Sequence, residues 1–153
     1  MSPDGIGDDE FYELCQVNSL YRLERNTDGS VTLRPSPGCE ASWRTAGVTA
    51  QIGNWAKSVA RGHCVGADSE FFLPDGSARQ PDAAWVSDES LSRFTQEEKR
   101  GFLRLCPEFV IEVRPYCDRL DDLKRKMEEW IANGAELGWL IDPDARKAWI
   151  YRP

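Results

Sequence analysis

Apolar residues recur at helical spacing in two long stretches of the chain and in one short one. Residues 41–61 and 119–132 repeat such positions every three or four residues, and each stretch is therefore predicted to form an amphipathic helix. A shorter helix is predicted over residues 10–17, with Asp8 or Asp9 as its cap. The apolar stripes of the two long helices are Val48, Ile52, Trp55 and Val59, and Leu120, Leu123, Met127, Trp130 and Ile131.

Shorter apolar or alternating runs predict strands between these helices. Residues 20–24 and 30–34 flank the turn sequence Asn26-Thr27-Asp28-Gly29, which is typical of a β-hairpin. Polar residues 88–100 predict one or two short helices. The order of elements predicts a single mixed α/β domain over residues 9–153, after a loose tail of residues 1–8. The other predicted strands cover residues 63–67, 70–73, 83–86, 109–113, 137–141 and 147–151.

Net charge, cysteine content and hydropathy argue against several classes of protein. The chain has 153 residues and a formal charge of −7, which argues against a broad basic surface but leaves room for a local basic groove. Five cysteines without a CxxC pair disfavour a disulfide framework and a thiolate zinc site, and they suit the reducing cytoplasm. The acidic N-terminal sequence is not a secretory signal, and no apolar run approaches the length of a membrane span.

Glu112 is a single charge inside the apolar run FVIEV. A buried charge is costly unless it is paired or bound to a metal ion. Strand alternation places Val110, Glu112 and Arg114 on one face, so Glu112 and Arg114 are predicted to project together. A structural ion pair, or a carboxylate at the rim of the sheet, is the ordinary alternative.

Asp82 is a second carboxylate, at the start of a predicted strand. Pro81 restricts Gln80 to extended geometry and so positions the beginning of that strand. A carboxylate at the start of one strand and another inside a second strand, such as Asp82 and Glu112, are able to converge on one point and suit Mg²⁺ or Mn²⁺. Taken alone, Asp82 is more simply a turn or cap residue.

Two lysines follow on the helix of residues 119–132. At about 100° per residue, Lys124 and Lys126 border opposite sides of its apolar stripe. Either is able to lean over the sheet, and helical geometry does not choose between them. A solvated flank is the ordinary interpretation of a lone lysine.

Together, RQPDAAWVS, CPEFVIEVRP and LDDLKRKMEEWIANGAELGWLIDPDARKAWIYRP resemble the Uma-two family of the PD-(D/E)XK, or restriction-endonuclease-like, superfamily. The resemblance runs from about residue 9 to the C-terminus. It implies a restriction-endonuclease-like mixed sheet flanked by helices, preceded by a helix and a hairpin. It also implies that Asp82 and Glu112 bind the metal, with the carbonyl of Val113 as a further ligand, and that Lys126 is the working lysine.

The chain departs from the superfamily pattern at several positions. The usual lysine two residues after the metal-binding Glu is replaced by Arg114, which is suited to contacting a phosphate oxygen. Pro115 stands where the family commonly has Ser, and Pro107-Glu108 replaces a second PD. Glu40 occupies a place where the superfamily often has another acidic residue, so it is a possible accessory ligand.

The resemblance implies a Mg²⁺- or Mn²⁺-dependent endonuclease that hydrolyses phosphodiester bonds in nucleic acid, with DNA as the expected substrate. His63 is the only histidine and no P-loop or GxGxxG is present, which disfavours His-based triads and nucleotide cofactors. The alternative is a non-catalytic binding or assembly module, and a weaker one is a hydrolase of small phosphate compounds. Exposed members of the six tryptophans would suit a homodimer surface.

Overall fold

Residues 5–153 are described by a computed structural model. The helices are α1 Asp8–Val17, α2 Cys39–Val59, α3 Asp88–Leu91 and α4 Leu120–Ala132, with a 3-10 turn at Glu98–Arg100. The strands are β1 Arg22–Arg25, β2 Val31–Arg34, β3 Gly62–Gly66, β4 Phe71–Phe72, β5 Ala78–Arg79, β6 Ala83–Ser87, β7 Phe109–Val113, β8 Leu137–Asp142 and β9 Lys147–Tyr151. Within these residues, no helix is both long and apolar enough to cross a bilayer.

The larger sheet has five strands in the order β3-β6-β7-β8-β9. Its central strand, β7, pairs antiparallel with β6 and parallel with β8, and the remaining pairs are antiparallel. The parallel strands β7 and β8 are joined by a crossover connection that contains α4, and this helix packs on one face of the sheet. The result is the mixed central sheet that the sequence predicts.

Both faces of β7 are covered, and every residue of the strand is buried. Val110 packs with Leu123 and its neighbours on α4, whereas Ile111 on the opposite face belongs to the cluster that contains Ile52 of α2. Alternation along the strand therefore sends Glu112 into the layer between the sheet and α4. A carboxylate in that layer requires polar partners from α4 or from beyond it.

The smaller sheet has the strand order β2-β1-β5-β4. The β1–β2 hairpin closes at Gly29, whose φ of +79° is in the left-handed region that favours glycine. Leu23 of β1 packs with Phe11 of α1 and Phe72 of β4, which anchors the hairpin and α1 to the rest of the fold. The opposite face of β1 is left to turn toward the larger sheet.

The fold confirms the predicted α/β class, N-terminal helix and hairpin. The predicted boundaries differ from the observed ones by up to two residues; α1, for example, begins at Asp8, and its cap is Gly7 in place of Asp8 or Asp9. Asp8 was predicted to belong to the loose tail, but its carboxylate pairs with Arg25 and Arg104. The rest of the tail prediction falls partly on residues 1–4, which lie outside the described residues. Strand β5 is too short to be predicted from alternation.

Glu70, directly before β4, is a buried carboxyl group with little polar compensation. The Cys15 thiol donates to its Oε2 at 3.8 Å, and its Oε1 has no hydrogen-bond partner among residues 5–153. Burial, reinforced by the negative charge of Glu24, raises the pKa of Glu70 to about 8. Glu70 is therefore mostly protonated in the folded protein at neutral pH.

Replacing Glu70 with Gln is expected to stabilise the protein above pH 8 by up to about 5 kcal/mol and to have little effect near pH 5. The pKa of Glu70 in the folded protein lies above the ordinary value of 4.5 that it has in the unfolded chain, so wild-type stability falls as pH rises from about 4.5 to about 8. Urea unfolding of both proteins from pH 5 to 9 measures this, with exposed Glu13→Gln as the control. A difference between wild type and Glu70→Gln that stays constant with pH would contradict the assignment.

Candidate active site

Asp82 lies immediately before β6 and is fixed by the pairing of β6 with β7. Its backbone N–H donates to the carbonyl of Ile111 at 3.1 Å. Its side-chain Oδ2 accepts a hydrogen bond from the backbone N–H of Val113 at 2.8 Å. The carboxylate is thereby held beside the end of β7, with Oδ1 left 3.7 Å from Nη1 of Arg22.

Glu112 is almost completely buried, with 2% of its surface exposed. Its Oε1 accepts from Nε1 of Trp130 at 3.1 Å and lies 2.9 Å from Nζ of Lys126. Lys126 and Trp130 are four residues apart on α4, so both side chains reach the same point from one helix face. The helix thus supplies the polar partners that the buried carboxylate requires.

Lys126 connects α4 to β7, to β1 and to the residues just before β6. Besides Glu112, its Nζ contacts Oε1 of Glu24 on β1 at 2.7 Å and donates to the carbonyl of Gln80 at 2.8 Å. The lysine is 7% exposed. All three donor positions of the ammonium group therefore have protein acceptors.

The protonation states of Lys126, Glu112 and Glu24 depend on burial and on one another's charges. Burial lowers the pKa of Lys126, but Glu112 and Glu24 outweigh burial and raise it, so the ammonium form is favoured. Burial raises the pKa of Glu112 to about 7; the charges of Asp82 and Glu24 add to the rise, and Lys126 opposes it. Burial also raises the pKa of Glu24, but Lys126 and Arg34 outweigh it and the net direction is downward. An additional cation would therefore be favoured next to Asp82 and Glu112.

A pocket of about 910 Å³ opens over this cluster. Asp82 and Val113 form part of its wall on the side of the larger sheet. Arg22 and Arg34 contribute from the β1–β2 hairpin, and Glu40 contributes from the first turn of α2. The pocket gives a solute access to Asp82, while Glu112 and Lys126 are buried beneath.

The Uma2 family model, described as "Putative restriction endonuclease", matches residues 8–153. This chain belongs to the Uma2 family. Its fold is similar to a crystal structure of "a putative nuclease belonging to DUF820 from Anabaena variabilis ATCC 29413", with a TM-score of 0.76 and 22% sequence identity over 97% of this chain and 80% of that chain. No curated protein matches the sequence. Family and fold together indicate a restriction-endonuclease-like nuclease, and such families generally use divalent metals.

The structure brings together only some of the residues predicted for a Uma2 site. Asp82, Val113, Glu112 and Lys126 form one connected cluster through the contacts given above. Lys124 lies on the other flank of α4, with its Nζ 5.4 Å from the centroid of the Trp149 ring. The lysine that reaches Glu112 is therefore Lys126.

Arg114 and Glu40 do not contact this cluster. Nη1 of Arg114 lies 2.7 Å from Oδ2 of Asp142, and its Nε donates to the carbonyl of Asp118. Strand β7 ends at Val113, so the alternation used to place Arg114 beside Glu112 does not extend to it. Glu40 lines the pocket but pairs with Arg44 at 2.6 Å, one turn further along α2.

Four polar participants were not predicted from the sequence: Glu24, Arg22, Arg34 and Trp130. Trp130 belongs to the apolar stripe of its helix, and that pattern does not show that its indole N–H donates to Glu112. Alternation within β1 does place Arg22 and Glu24 on one face, and that pattern was the available signal. What the sequence does not show is that this face covers the Uma2 carboxylates, because the hairpin belongs to a separate sheet.

Proposed function

We propose that this protein is a metal-dependent endonuclease that hydrolyses phosphodiester bonds in nucleic acid, with DNA as the substrate that the family description favours. The observation that carries the proposal is the convergence of Asp82, directly before β6, with Glu112 of β7 and Lys126 of α4. Membership in a restriction-endonuclease-like family supports the same chemistry.

The donor set fits a small, hard divalent cation. Within residues 5–153 no cluster of three or more His, Cys, Asp or Glu side chains forms a complete metal site. Oδ1 of Asp82 and Oε2 of Glu112, however, accept no hydrogen bond from any residue in that range. Two carboxylates, with the carbonyl oxygen of Val113 as a third ligand, suit Mg²⁺ or Mn²⁺, which complete their coordination with water and phosphate oxygens.

In the proposed reaction a bound Mg²⁺ or Mn²⁺ would supply Lewis-acid activation of water and of the scissile phosphate. The protein's own groups provide position and charge. The N–H of Val113 fixes one oxygen of Asp82 and leaves the other directed toward the pocket side. Lys126 retains its proton, and Glu24, Glu112 and the Gln80 carbonyl occupy its donors. Its role is therefore to position Glu112 and to place positive charge beneath the site, and not to act as a base.

Incubation with supercoiled plasmid and with single-stranded oligonucleotide tests this function. We expect strand cleavage with Mg²⁺ or Mn²⁺, and no cleavage in EDTA. Asp82→Ala and Glu112→Ala are expected to abolish it, while Glu89→Gln, an exposed carboxylate on α3, leaves it unchanged. Cleavage that persists in both Ala variants, or that needs no divalent ion, would overturn the proposal.

The alternative function is a binding or assembly module. Such a module, and the homodimer that we also propose, would use a surface other than the pocket. Ile150 of the edge strand β9 is 60% exposed and is the register partner of half-buried Trp139 on β8. An apolar pair beside a sheet edge that no other described strand covers suits contact with a second copy. Light scattering of the purified protein would distinguish monomer from dimer.

The odd cysteine count also leads us to propose a cytoplasmic location, which cell fractionation would test.

A further inference from the structure

Two arginines lie directly opposite each other on the hairpin that covers the site. Arg22 of β1 is the register partner of Arg34 of β2, and both side chains line the pocket that contains Asp82. Like charges directly opposite on neighbouring strands destabilise a sheet. Negative charge beside such a pair offsets the repulsion. Glu24, Asp82 and Asp118 supply part of it from within the fold, and an anion in the pocket would add to it from the open side.

Neither arginine is saturated by a nearby carboxylate. The closest carboxylate oxygens are 3.7 Å from Arg22, at Asp82, and 3.4 Å from Arg34, at Asp118. By contrast, the structural arginine Arg114 holds its carboxylate partner at 2.7 Å. About a quarter to a third of each pocket-side side chain is exposed, 26% for Arg22 and 31% for Arg34. Both guanidinium groups therefore retain donors for a ligand in the pocket.

The guanidinium plane of Arg22 is fixed by neutral groups. Its Nε donates to Oε1 of Gln80 at 2.7 Å, and its Nη2 donates to the carbonyl of Ala67 at 3.3 Å. These bonds orient the fork without neutralising its charge. A planar, oriented fork is well matched to the oxygens of a phosphate group.

We propose that Arg22 and Arg34 form a clamp for a backbone phosphate of a nucleic-acid strand whose neighbouring phosphodiester lies at Asp82. The inference rests on the proposed nuclease function and adds the groups that hold its substrate. Arg22 and Arg34 are substrate-binding residues in this account.

The salt dependence of oligonucleotide binding tests the clamp. Fluorescence anisotropy with a labelled single-stranded oligonucleotide in EDTA gives the slope of log affinity against log salt concentration. Each phosphate contact on a single strand contributes about 0.7 to that slope, so Arg22→Gln and Arg34→Gln are each expected to reduce it by about 0.7. Arg22→Lys and Arg34→Lys keep the charge and restore the slope. Arg100→Gln, an exposed arginine paired with Glu97, is the matched control and leaves it unchanged.

The outcomes separate the clamp from the nuclease proposal. The clamp is rejected when the Arg22→Gln/Arg34→Gln double variant has the wild-type slope, when Arg100→Gln lowers the slope equally, or when wild type shows no salt-dependent binding. Divalent-dependent cleavage with an unchanged slope would keep the nuclease and reject the clamp. A slope lowered by both substitutions, without cleavage under any metal, would keep the clamp and reject the nuclease. Arg34→Gln guards against misfolding, since Arg34 gives up one long hydrogen bond, to Asp118 at 3.4 Å, where Arg22 gives up two anchoring bonds.

Discussion

The Lys126→Met variant is expected to lose about 4 kcal/mol of its free energy of unfolding at pH 7. Lys126 is the shared cation of Glu24 and Glu112, both almost completely buried, at 2.7 and 2.9 Å. Removing it leaves two buried carboxylates close together without compensation, and it also leaves the Gln80 carbonyl without its donor. Methionine keeps the length and apolar stem of the side chain, so the loss is attributable to the missing charge and hydrogen bonds.

Urea unfolding monitored by tryptophan fluorescence measures this loss. Lys124→Met is a matched control on the same helix, because Lys124 contacts the ring of Trp149 and no buried carboxylate. It is expected to change stability by no more than about 1 kcal/mol. Equal stabilities of the two methionine variants would mean that the Lys126 ion pairs do not hold α4 to β7 and β1.

The Asp82→Asn variant is expected to cleave nucleic acid about 10³-fold more slowly than wild type while remaining folded. Asparagine keeps a carbonyl oxygen that accepts the hydrogen bond from the N–H of Val113, so the end of β7 is undisturbed. What it removes is one negative charge and one hard oxygen ligand at the pocket, which is worth several kcal/mol in the transition state.

Initial cleavage rates under saturating Mg²⁺, together with the melting temperature, measure this effect. Asp144→Asn is the control, because Asp144 is an exposed carboxylate that pairs with Arg44 away from the cluster. A drop in rate that is matched by Asp144→Asn, or that is accompanied by loss of the folded state, would remove the support for Asp82 as a ligand.

Local patterns predict the strands and helices that carry the acidic residues. The run FVIEV predicts β7 with its observed ends, and alternation correctly predicts that Glu112 projects away from the face of Ile111. The apolar spacing of α4 predicts a helix packed on the same sheet. These features depend on a period of two or of 3.6 residues, which a single sequence displays directly.

The periodicity of one segment does not show which distant segments of the chain contact it. Lys124 and Lys126 have equivalent places beside the apolar stripe of α4, and what separates them is Glu24 from a hairpin about 100 residues earlier in the chain. Arg114 turns to Asp142 because β7 ends one residue before it. The Arg22–Arg34 pair follows from hairpin register, but its position over Asp82 follows from how the two sheets meet.

Titration of the protein with Mn²⁺, followed by calorimetry, tests most directly whether Asp82 and Glu112 form a metal site. We expect saturable binding to wild type and to Lys124→Met, and loss of that binding in both Asp82→Asn and Glu112→Gln. Wild-type protein that takes up no Mn²⁺, or Asn and Gln variants that bind it as wild type does, would contradict it.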